Sequence, residues 1–360
     1  MEAAVYIGVD FHAAQQTLCY LKTEDGEIRE TRLCHRKDDL RHDEVREFYV
    51  QFKSKVIVGI EAGGCTDWFE DLLAEMGIEV WVGESKRIRK LAVRKQKNDK
   101  LDAAHILDLM TSNRFPRLHR RSKESNEVLR QLGYRNKLVK MRTMLLNSLR
   151  AIGRREGLLC PGKVDSRRGQ ARMKQLKVSA SSRKQIEEMY GLILQLNVET
   201  RRIEKWLETV ANNDEDVKLL MTQKGVGLLT ALVVAHSIRP ISRFANGRAV
   251  TAFIGLDPVE NSSGSRKRIG AISKQGSPLA RHLLQEAGQV AIRWDQGLKK
   301  FYERIKARRG GQKAKVAVAR KLLVRLYIML RDGIDAEEFN RRGVEARSSR
   351  IAHSPEVTRP

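Results

Sequence analysis

Short apolar runs alternate with amphipathic stretches through the first third of the chain, and the apolar spacing then settles into long helical stripes. Residues 3–10 and 16–21 read as strands about a turn at Phe11-His12-Ala13, and Glu27 to Leu33 alternates as a third strand should. Asp38 to Phe52 carries a helical stripe of Leu40, Val45, Phe48, Tyr49 and Phe52 before a continuous apolar run at 56–60, the signature of a buried strand. A helix over Asp67 to Met76 and a strand over Ile78 to Val82 follow. This alternation of strand and helix predicts a central sheet covered by helices.

From about residue 120 to 215 the pattern is helical throughout. Leu138, Met141, Leu145 and Leu149 repeat at helical spacing, as do Ile186, Met189, Tyr190, Ile193, Leu196, Ile203, Leu207 and Val210. Between the two stripes, Gly153 to Lys177 holds Pro161, several glycines and many Arg and Lys residues, and is expected to be a loop or hinge, with basic character over 153–180. An antiparallel helical hairpin follows, either a coiled coil that joins two copies or a bundle packed within one chain. From 216 to 333 the chain is again helical. Leu219-Leu220 and Gly225 to Leu232 predict two helices joined by a Gly225-Val226-Gly227 turn, and further helices are expected over Pro278 to Trp294 and Ala314 to Leu330. The amides at Gly225 and Gly227 would suit a backbone phosphate, while glycines there would equally let helices pack closely. The Arg- and Ser-rich stretch from 334 to 360 is expected to be a flexible tail.

Charge narrows the partners. A formal net charge of +25 and a pI near 10.1 call for a polyanion, since Lys and Arg that neutralise phosphates release condensed counterions. The chain has no apolar run of roughly 18 residues, so a membrane is not expected as its partner. The first residues lack the basic start and apolar core of a secretory signal. Cys19, Cys34, Cys65 and Cys160 form no Cys-x-x-Cys pair, which points to a reducing cytoplasm without structural zinc.

Candidate chemistry sits at the ends of the predicted strands. Tyr6-Ile7-Gly8-Val9 runs into Asp10, Val56-Ile57-Val58-Gly59-Ile60 runs into Glu61, and a third segment supplies Asp99 and Asp102. Parallel neighbouring strands would bring Asp10 and Glu61 to one sheet edge. On a helix, Asp99 and Asp102 share a face that continues through Ala103, Ile106 and Met110 toward the core, whereas Asp108 falls off it. Converging carboxylates repel one another unless hard cations hold them, and oxygen ligands suit Mg²⁺. The plainer role of Asp99 and Asp102 is to favour a helix N-terminus. Downstream, Asn261-Ser262-Ser263-Gly264-Ser265 places hydroxyls beside Arg266, Lys267 and Arg268, surroundings that a nucleophile attacking phosphate requires and that a solvated basic loop also has.

Over nearly its whole length the chain resembles the DEDD transposases of bacterial insertion sequences, described as bridge-RNA-guided recombinases. The resemblance rests on Ile7-Gly8-Val9-Asp10, Glu61-Ala62-Gly63-Gly64, Lys97-Asn98-Asp99-Lys100-Leu101-Asp102-Ala103, Gly255-Leu256-Asp257-Pro258 leading to Ser263-Gly264, and Ile272-Ser273-Lys274-Gln275-Gly276. Asn98 stands where members commonly have threonine. The resemblance implies an RNase H-like (RuvC-like) α/β domain over 1–115, a helical coiled-coil middle over 116–215 and a mainly α-helical transposase domain over 216–333. It also implies that Asp10, Glu61, Asp99 and Asp102 bind Mg²⁺, with Mn²⁺ an alternative, and that Ser263, the residue before glycine, becomes joined to DNA. Arg266, Lys267 and Arg268 would then steady the phosphate. The implied partners are donor and target double-stranded DNA, a noncoding bridge RNA and further copies of the chain, as a dimer or tetramer whose active sites combine subunits, in the bacterial cytoplasm on the nucleoid. Two other readings stand beside it: a metal-dependent junction nuclease that uses water, and a non-catalytic nucleic-acid scaffold.

Overall fold

The structure, a computed structural model, describes residues 4–35, 43–92, 99–158, 162–260 and 269–343. The chain forms two compact units, Met1–Arg120 and Arg121–Pro360.

The first unit is a five-stranded mixed sheet. Its strands are β1 (Ala4–His12), β2 (Gln15–Lys22), β3 (Ile28–Cys34), β4 (Lys55–Glu61) and β5 (Glu79–Gly83), in the order β3-β2-β1-β4-β5. The β1–β2 and β2–β3 pairs are antiparallel, while β1–β4 and β4–β5 are parallel. That order, with its antiparallel meander on one side and parallel strands on the other, is the RNase H-like arrangement expected from the sequence. Four helices cover it: α1 (Asp43–Val50), α2 (Asp67–Glu75), α3 (Ser85–Leu91) and α4 (Asp99–Thr111).

The period-two alternation of the central strands decides what lies on each face. Val5, Ile7 and Val9 of β1 and Val56, Val58 and Ile60 of β4 pack with Val45 and Tyr49 of α1 and Phe69, Leu72 and Leu73 of α2. The alternate residues turn to α4. There Ile57 joins Ile106, Leu109 and Met110, and Ala103 and Leu107 pack against Cys19 of β2. The helix expected over 38–52 is present from Asp43 to Val50, and residues 38–42 lie outside the described ones. The short helix α3, Ser-Lys-Arg-Ile-Arg-Lys-Leu, was not anticipated, because its one buried residue, Ile88, leaves no periodicity to detect.

The second unit is helical, apart from one small hairpin. Its helices are α5 (Lys123–Arg155), α6 (Arg167–Gln175), α7 (Ala180–Asn212), α8 (Glu215–Met221), α9 (Leu228–Ile238), α10 (Gly247–Ile254), α11 (Pro278–Trp294), α12 (Gln296–Arg309) and α13 (Gly311–Asp332). Strands β6 (Pro258–Glu260) and β7 (Ile269–Ile272) pair antiparallel between α10 and α11. Helices α5 and α7, each 33 residues and about 50 Å long at 1.5 Å per residue, form an antiparallel hairpin within the chain. Val128, Leu132 and Leu138 at the start of α5 share a core with Ile203, Leu207 and Ala211 at the end of α7 and with α8, α9, α11 and α13. Leu146, Leu149 and Ile152 meet Ile186 and Ile193 in a separate core at the far end. The hairpin base and the helices after it thus share one core, although the sequence suggested separate domains over 116–215 and 216–333.

Two expected loops contain structure. Within 153–180, expected as a basic loop, α5 continues to Arg155 and α6 occupies Arg167–Gln175, anchored by Met173 and Val164, which are fully buried. The helix escaped notice because its apolar content is two residues among four cations. The tail expected to be flexible from residue 334 begins with Ile334 and Ala336 buried and a helical stretch over 336–343, where the Phe339 ring lies 5.0 Å from the Arg325 guanidinium. No helix among the described residues is long and apolar enough to cross a membrane.

Candidate metal centre and nucleophile hairpin

Asp10 and Glu61 are brought to one place by strand register. The parallel pairing of β1 with β4 matches Gly8 to Gly59 and Val9 to Ile60, so Asp10 and Glu61 each follow the last matched pair. Residues two apart on a strand face the same side, and here that side is the one carrying α4. A Cβ added to Gly8 would lie 2.4 Å from the Ala103 carbonyl oxygen and 2.6 Å from the Leu107 nitrogen. One added to Gly59 would lie 2.2 Å from Met110 Sδ. The two glycines therefore form a saddle for α4, with Gly8 meeting its backbone and Gly59 the side chains of Met110 and Ile106. The Gly-x-acid pattern, repeated as Gly8-Val9-Asp10 and Gly59-Ile60-Glu61, holds the helix and presents the acid with the same strand segment.

Helix α4 begins at Asp99 and carries Asp99 and Asp102 in its first turn, next to Ala103, which is fully buried on Gly8. Asp10, 16% exposed in its side chain, receives these charges. Burial raises its carboxyl above the ordinary carboxylate range, the charge of His12 opposes that rise, and Asp102 and Asp99 add to it. The structure thus brings Asp10, Asp99 and Asp102 within electrostatic reach of one another. Glu61 faces the same side of the sheet but is held by Arg89 of α3, with Nη2 3.1 Å from Glu61 Oε1.

A residue that sequence reasoning assigned only to a turn joins the acids. His12 Nε2 lies 3.2 Å from Asp10 Oδ2 and 3.9 Å from Asp99 Oδ1, and ligand atoms of Asp10, His12 and Asp99 all fall within 4.8 Å of one another. The signal was present in Asp10-Phe11-His12, because alternate residues of a strand share a face, but β1 was expected to stop at residue 10 and instead runs to His12. The loop after Glu61 is pinned by the Ala62 amide on the Gly83 carbonyl at 2.9 Å and by Ser85 Oγ on the Ala62 carbonyl at 2.9 Å. Among Glu61-Ala62-Gly63-Gly64, Gly64 has open space where a side chain would stand.

The second candidate region is the β6–β7 hairpin. Ser263, Arg266, Lys267 and Arg268 lie between its strands and outside the described residues, as do Ser262 and Ser265. The base of the hairpin is closely fixed. Gly255 ends α10 at φ 77°, and a Cβ there would lie 1.8 Å from the Gln275 carbonyl oxygen. A Cβ on Gly276, at φ 78°, would lie 2.1 Å from the Phe253 carbonyl oxygen. Ser273 donates its backbone N–H to the Asp257 carbonyl at 2.9 Å and its hydroxyl to Asp257 Oδ1 at 2.7 Å. Arg281 of α11, 9% exposed, donates Nη1 to the carbonyls of Ile254, Gln275 and Gly276 at 3.0, 2.9 and 3.1 Å. The Gly255-to-Pro258 and Ile272-to-Gly276 motifs are thus two halves of one clamp. Nothing in the spacing of Arg281 identified it, because its role depends on carbonyls that only the fold assembles.

Gly225 and Gly227 serve different ends. Gly225 has φ 94°, and a Cβ there would lie 2.6 Å from the Ala291 nitrogen, so it lets the turn pack against α11. Gly227 is exposed, has open space around it and N-caps α9 without a side-chain bond to its amides.

Comparison with known proteins adds a lineage to this geometry. Residues 217–303 match the family model of the transposase IS116/IS110/IS902 family, and residues 7–152 match that of a DEDD transposase of the IS110 type. The chain is similar to the transposase for insertion sequence element IS1111A of Coxiella burnetii, 29% identical over 77% of this chain and 79% of that one. It is similar to a probable family 20 transposase of Pseudomonas aeruginosa, 26% identical over 72% and 78% of the two chains. It also resembles the transposase for insertion sequence element IS1328 of Yersinia enterocolitica, 23% identical over 65% and 70%.

Proposed function

The chain belongs to the DEDD transposases of the IS116/IS110/IS902 family, and from that membership we propose that it cuts and rejoins DNA through a phosphoserine link at Ser263, with divalent cations held by Asp10, Glu61, Asp99 and Asp102. The observation that carries the reading is the glycine saddle, which seats α4 on the sheet so that Asp99 and Asp102 of its first turn come within electrostatic reach of the strand-end Asp10. The donor set fits the ion. Carboxylate oxygens suit Mg²⁺ and Mn²⁺, and the crowding of Asp10 by Asp99 and Asp102 is the repulsion that a divalent cation relieves. Such a cation supplies charge stabilisation at the phosphate and lowers the proton affinity of the attacking oxygen.

The protein's own groups do the rest. Asp10, Asp99 and Asp102 bind, and His12 orients Asp10 by donating from Nε2. Arg89 holds Glu61 until it is displaced. Ser263 Oγ attacks phosphorus, its proton passes by way of a basic oxygen at the site to the deoxyribose oxygen whose bond to phosphorus breaks, and that oxygen leaves as a hydroxyl. The phosphodiester is exchanged for a phosphoserine ester of similar energy, so the reverse attack by a DNA hydroxyl rejoins strands without ATP. Arg266, Lys267 and Arg268 balance charge on the phosphate. A bridge RNA would choose donor and target DNA by base pairing, which leaves the protein few base edges to read. The +25 charge supports a load of one RNA and two duplexes. Assembly as a dimer or tetramer is supported by apolar side chains left on the outer faces of the hairpin, among them Met144, Leu194 and Val198 at 68, 62 and 58% exposure.

The test is a denaturant-stable protein–DNA adduct. Purified chain, the element's flanking noncoding RNA, Mg²⁺ and labelled junction DNA should give an adduct that Ser263→Ala and Asp10→Asn each abolish and that chelation prevents. Cleavage without an adduct would hand the attack to water and make the chain a metal-dependent junction nuclease.

A further inference from the structure

The head of the α5–α7 hairpin carries a cationic helix with a built mounting and no described partner. Helix α6 lies in neither of the segments matched by the family models. Ser166 N-caps it, accepting from the Gly169 amide at 3.1 Å. At the other end Arg183 of α7 donates to the carbonyls of Met173 and Leu176, satisfying the last turn. A Cβ on Gly169 would lie 2.2 Å from the Lys163 carbonyl oxygen, so the helix sits backbone to backbone on the preceding turn. Met173 and Val164 are sealed into the core of the head, and Tyr190 of α7 donates its hydroxyl to the Val164 carbonyl at 2.8 Å. A short helix is thus held rigidly at the end of a stalk about 50 Å long.

Its exposed surface is ordered. Helical positions advance by about 100°, which turns Gly169 and Met173 to the stalk and puts Ala171 and Gln175 on the opposite crest. Arg167 and Lys174 border the crest on one side, and Arg168 and Arg172 on the other. All six are exposed, and the four cations have no ion-pair or hydrogen-bond partner among the described residues. We propose that α6 inserts in the major groove of B-form DNA, its two cation rows reaching the phosphates on either side and Ala171 and Gln175 meeting base edges. The B-form major groove, about 12 Å wide, admits an α-helix. The A-form major groove of duplex RNA is deep and narrow and does not, so the occupant is DNA. A small crest residue allows close approach and contact with a thymine methyl, and glutamine pairs with adenine N6 and N7. The inference rests on the reading of the chain as an enzyme acting on DNA.

The experiment measures binding of the full-length protein to a DNA duplex and to an RNA duplex of equal length across a salt series. The native chain is compared with Arg167→Ala/Arg168→Ala/Arg172→Ala/Lys174→Ala and with Ala171→Trp. For DNA, the fourfold variant should lower the slope of log K against log salt by about 3–4, at roughly 0.9 per phosphate contact, and lose at least about tenfold in affinity at physiological salt. Ala171→Trp, which keeps every cation but blocks the crest, should weaken DNA binding with thermal stability unchanged. RNA duplex binding should be the same in all three proteins. An unchanged DNA slope, an equal loss on RNA duplex, or full DNA affinity in Ala171→Trp would overturn the assignment. Asp10→Asn should abolish the covalent adduct and leave this slope intact, so failure of the site reading and failure of the α6 reading are separable.

Discussion

At the scale of single residues, the two glycines of the saddle make unequal demands. Gly8 faces the backbone of α4 at Ala103 and Leu107, which cannot yield, whereas Gly59 faces the end of the Met110 side chain, which can rotate away. Gly8→Ala is therefore expected to cost about 2–3 kcal/mol and to displace the first turn of α4, with loss of DNA cleavage. Gly59→Ala should cost less and retain cleavage, as urea unfolding and a cleavage assay on both variants will read. A second residue sets a pH limit. His236 is fully buried, with Nδ1 3.1 Å from Ser125 Oγ and Nε2 3.5 Å from Asp214 Oδ2. Burial pulls its imidazole below the ordinary 6.5, Arg239 adds to that, and Asp214 opposes it. The fold thus prefers the neutral ring: stability is full above the unfolded value of 6.5 and declines as pH falls through it toward the lower folded value. Asp214 extends the decline to acid. Burial would raise its carboxyl, but Arg239 and the Val217 amide bring it below the usual range, so its contribution is lost once the pH falls below that of an ordinary carboxylate. Melting temperature should hold above pH 7 and fall as the pH drops below 6.5, by an amount that His236→Asn removes.

At the scale of elements, the sequence was most readable where one face of a strand or helix is buried along its whole length. The apolar runs of β1 and β4 and the long stripes of α5 and α7 gave their positions closely, because sustained burial, on both faces of a strand or one face of a helix, leaves a pattern that few other causes produce. Helix α12 failed the same reading: it buries Leu298 alone among its residues and is otherwise rich in cations, so no stripe exists. Asp10 and Glu61 were visible because each ends an apolar run, while His12 and Arg89 were not, since a strand overrun by two residues and an unforeseen α3 place them. The stripe on α7 leaves a remainder. Leu194 and Val198 lie one helical turn apart on a surface that nothing among the described residues covers, with Met144 exposed on α5. Leu194→Glu/Val198→Glu should shift the protein toward monomer in light scattering without lowering its melting temperature, because the intrachain contacts of Ile193 and Ile203 remain.

At the scale of the whole molecule, an excess of +25 charges is shared by a sheet unit that supplies acids and a helical unit that supplies cations and the serine. In the sheet unit the charges that matter are negative and converge at strand ends. In the helical unit, Arg281 clamps the base of the hairpin whose strands flank Ser263, and α6 carries four cations without a partner among the described residues at the end of its stalk. This division fits an enzyme that grips polyanions broadly and concentrates its chemistry in two small motifs. The central claim is that Ser263 becomes the phosphorylated residue. The direct test is to trap the adduct on junction DNA with RNA and Mg²⁺, digest both protein and DNA, and locate the nucleotide by peptide mass spectrometry. The account predicts a single modified peptide, with the phosphate on Ser263. A phosphate on another side chain, or cleaved DNA with no modified peptide, would contradict it.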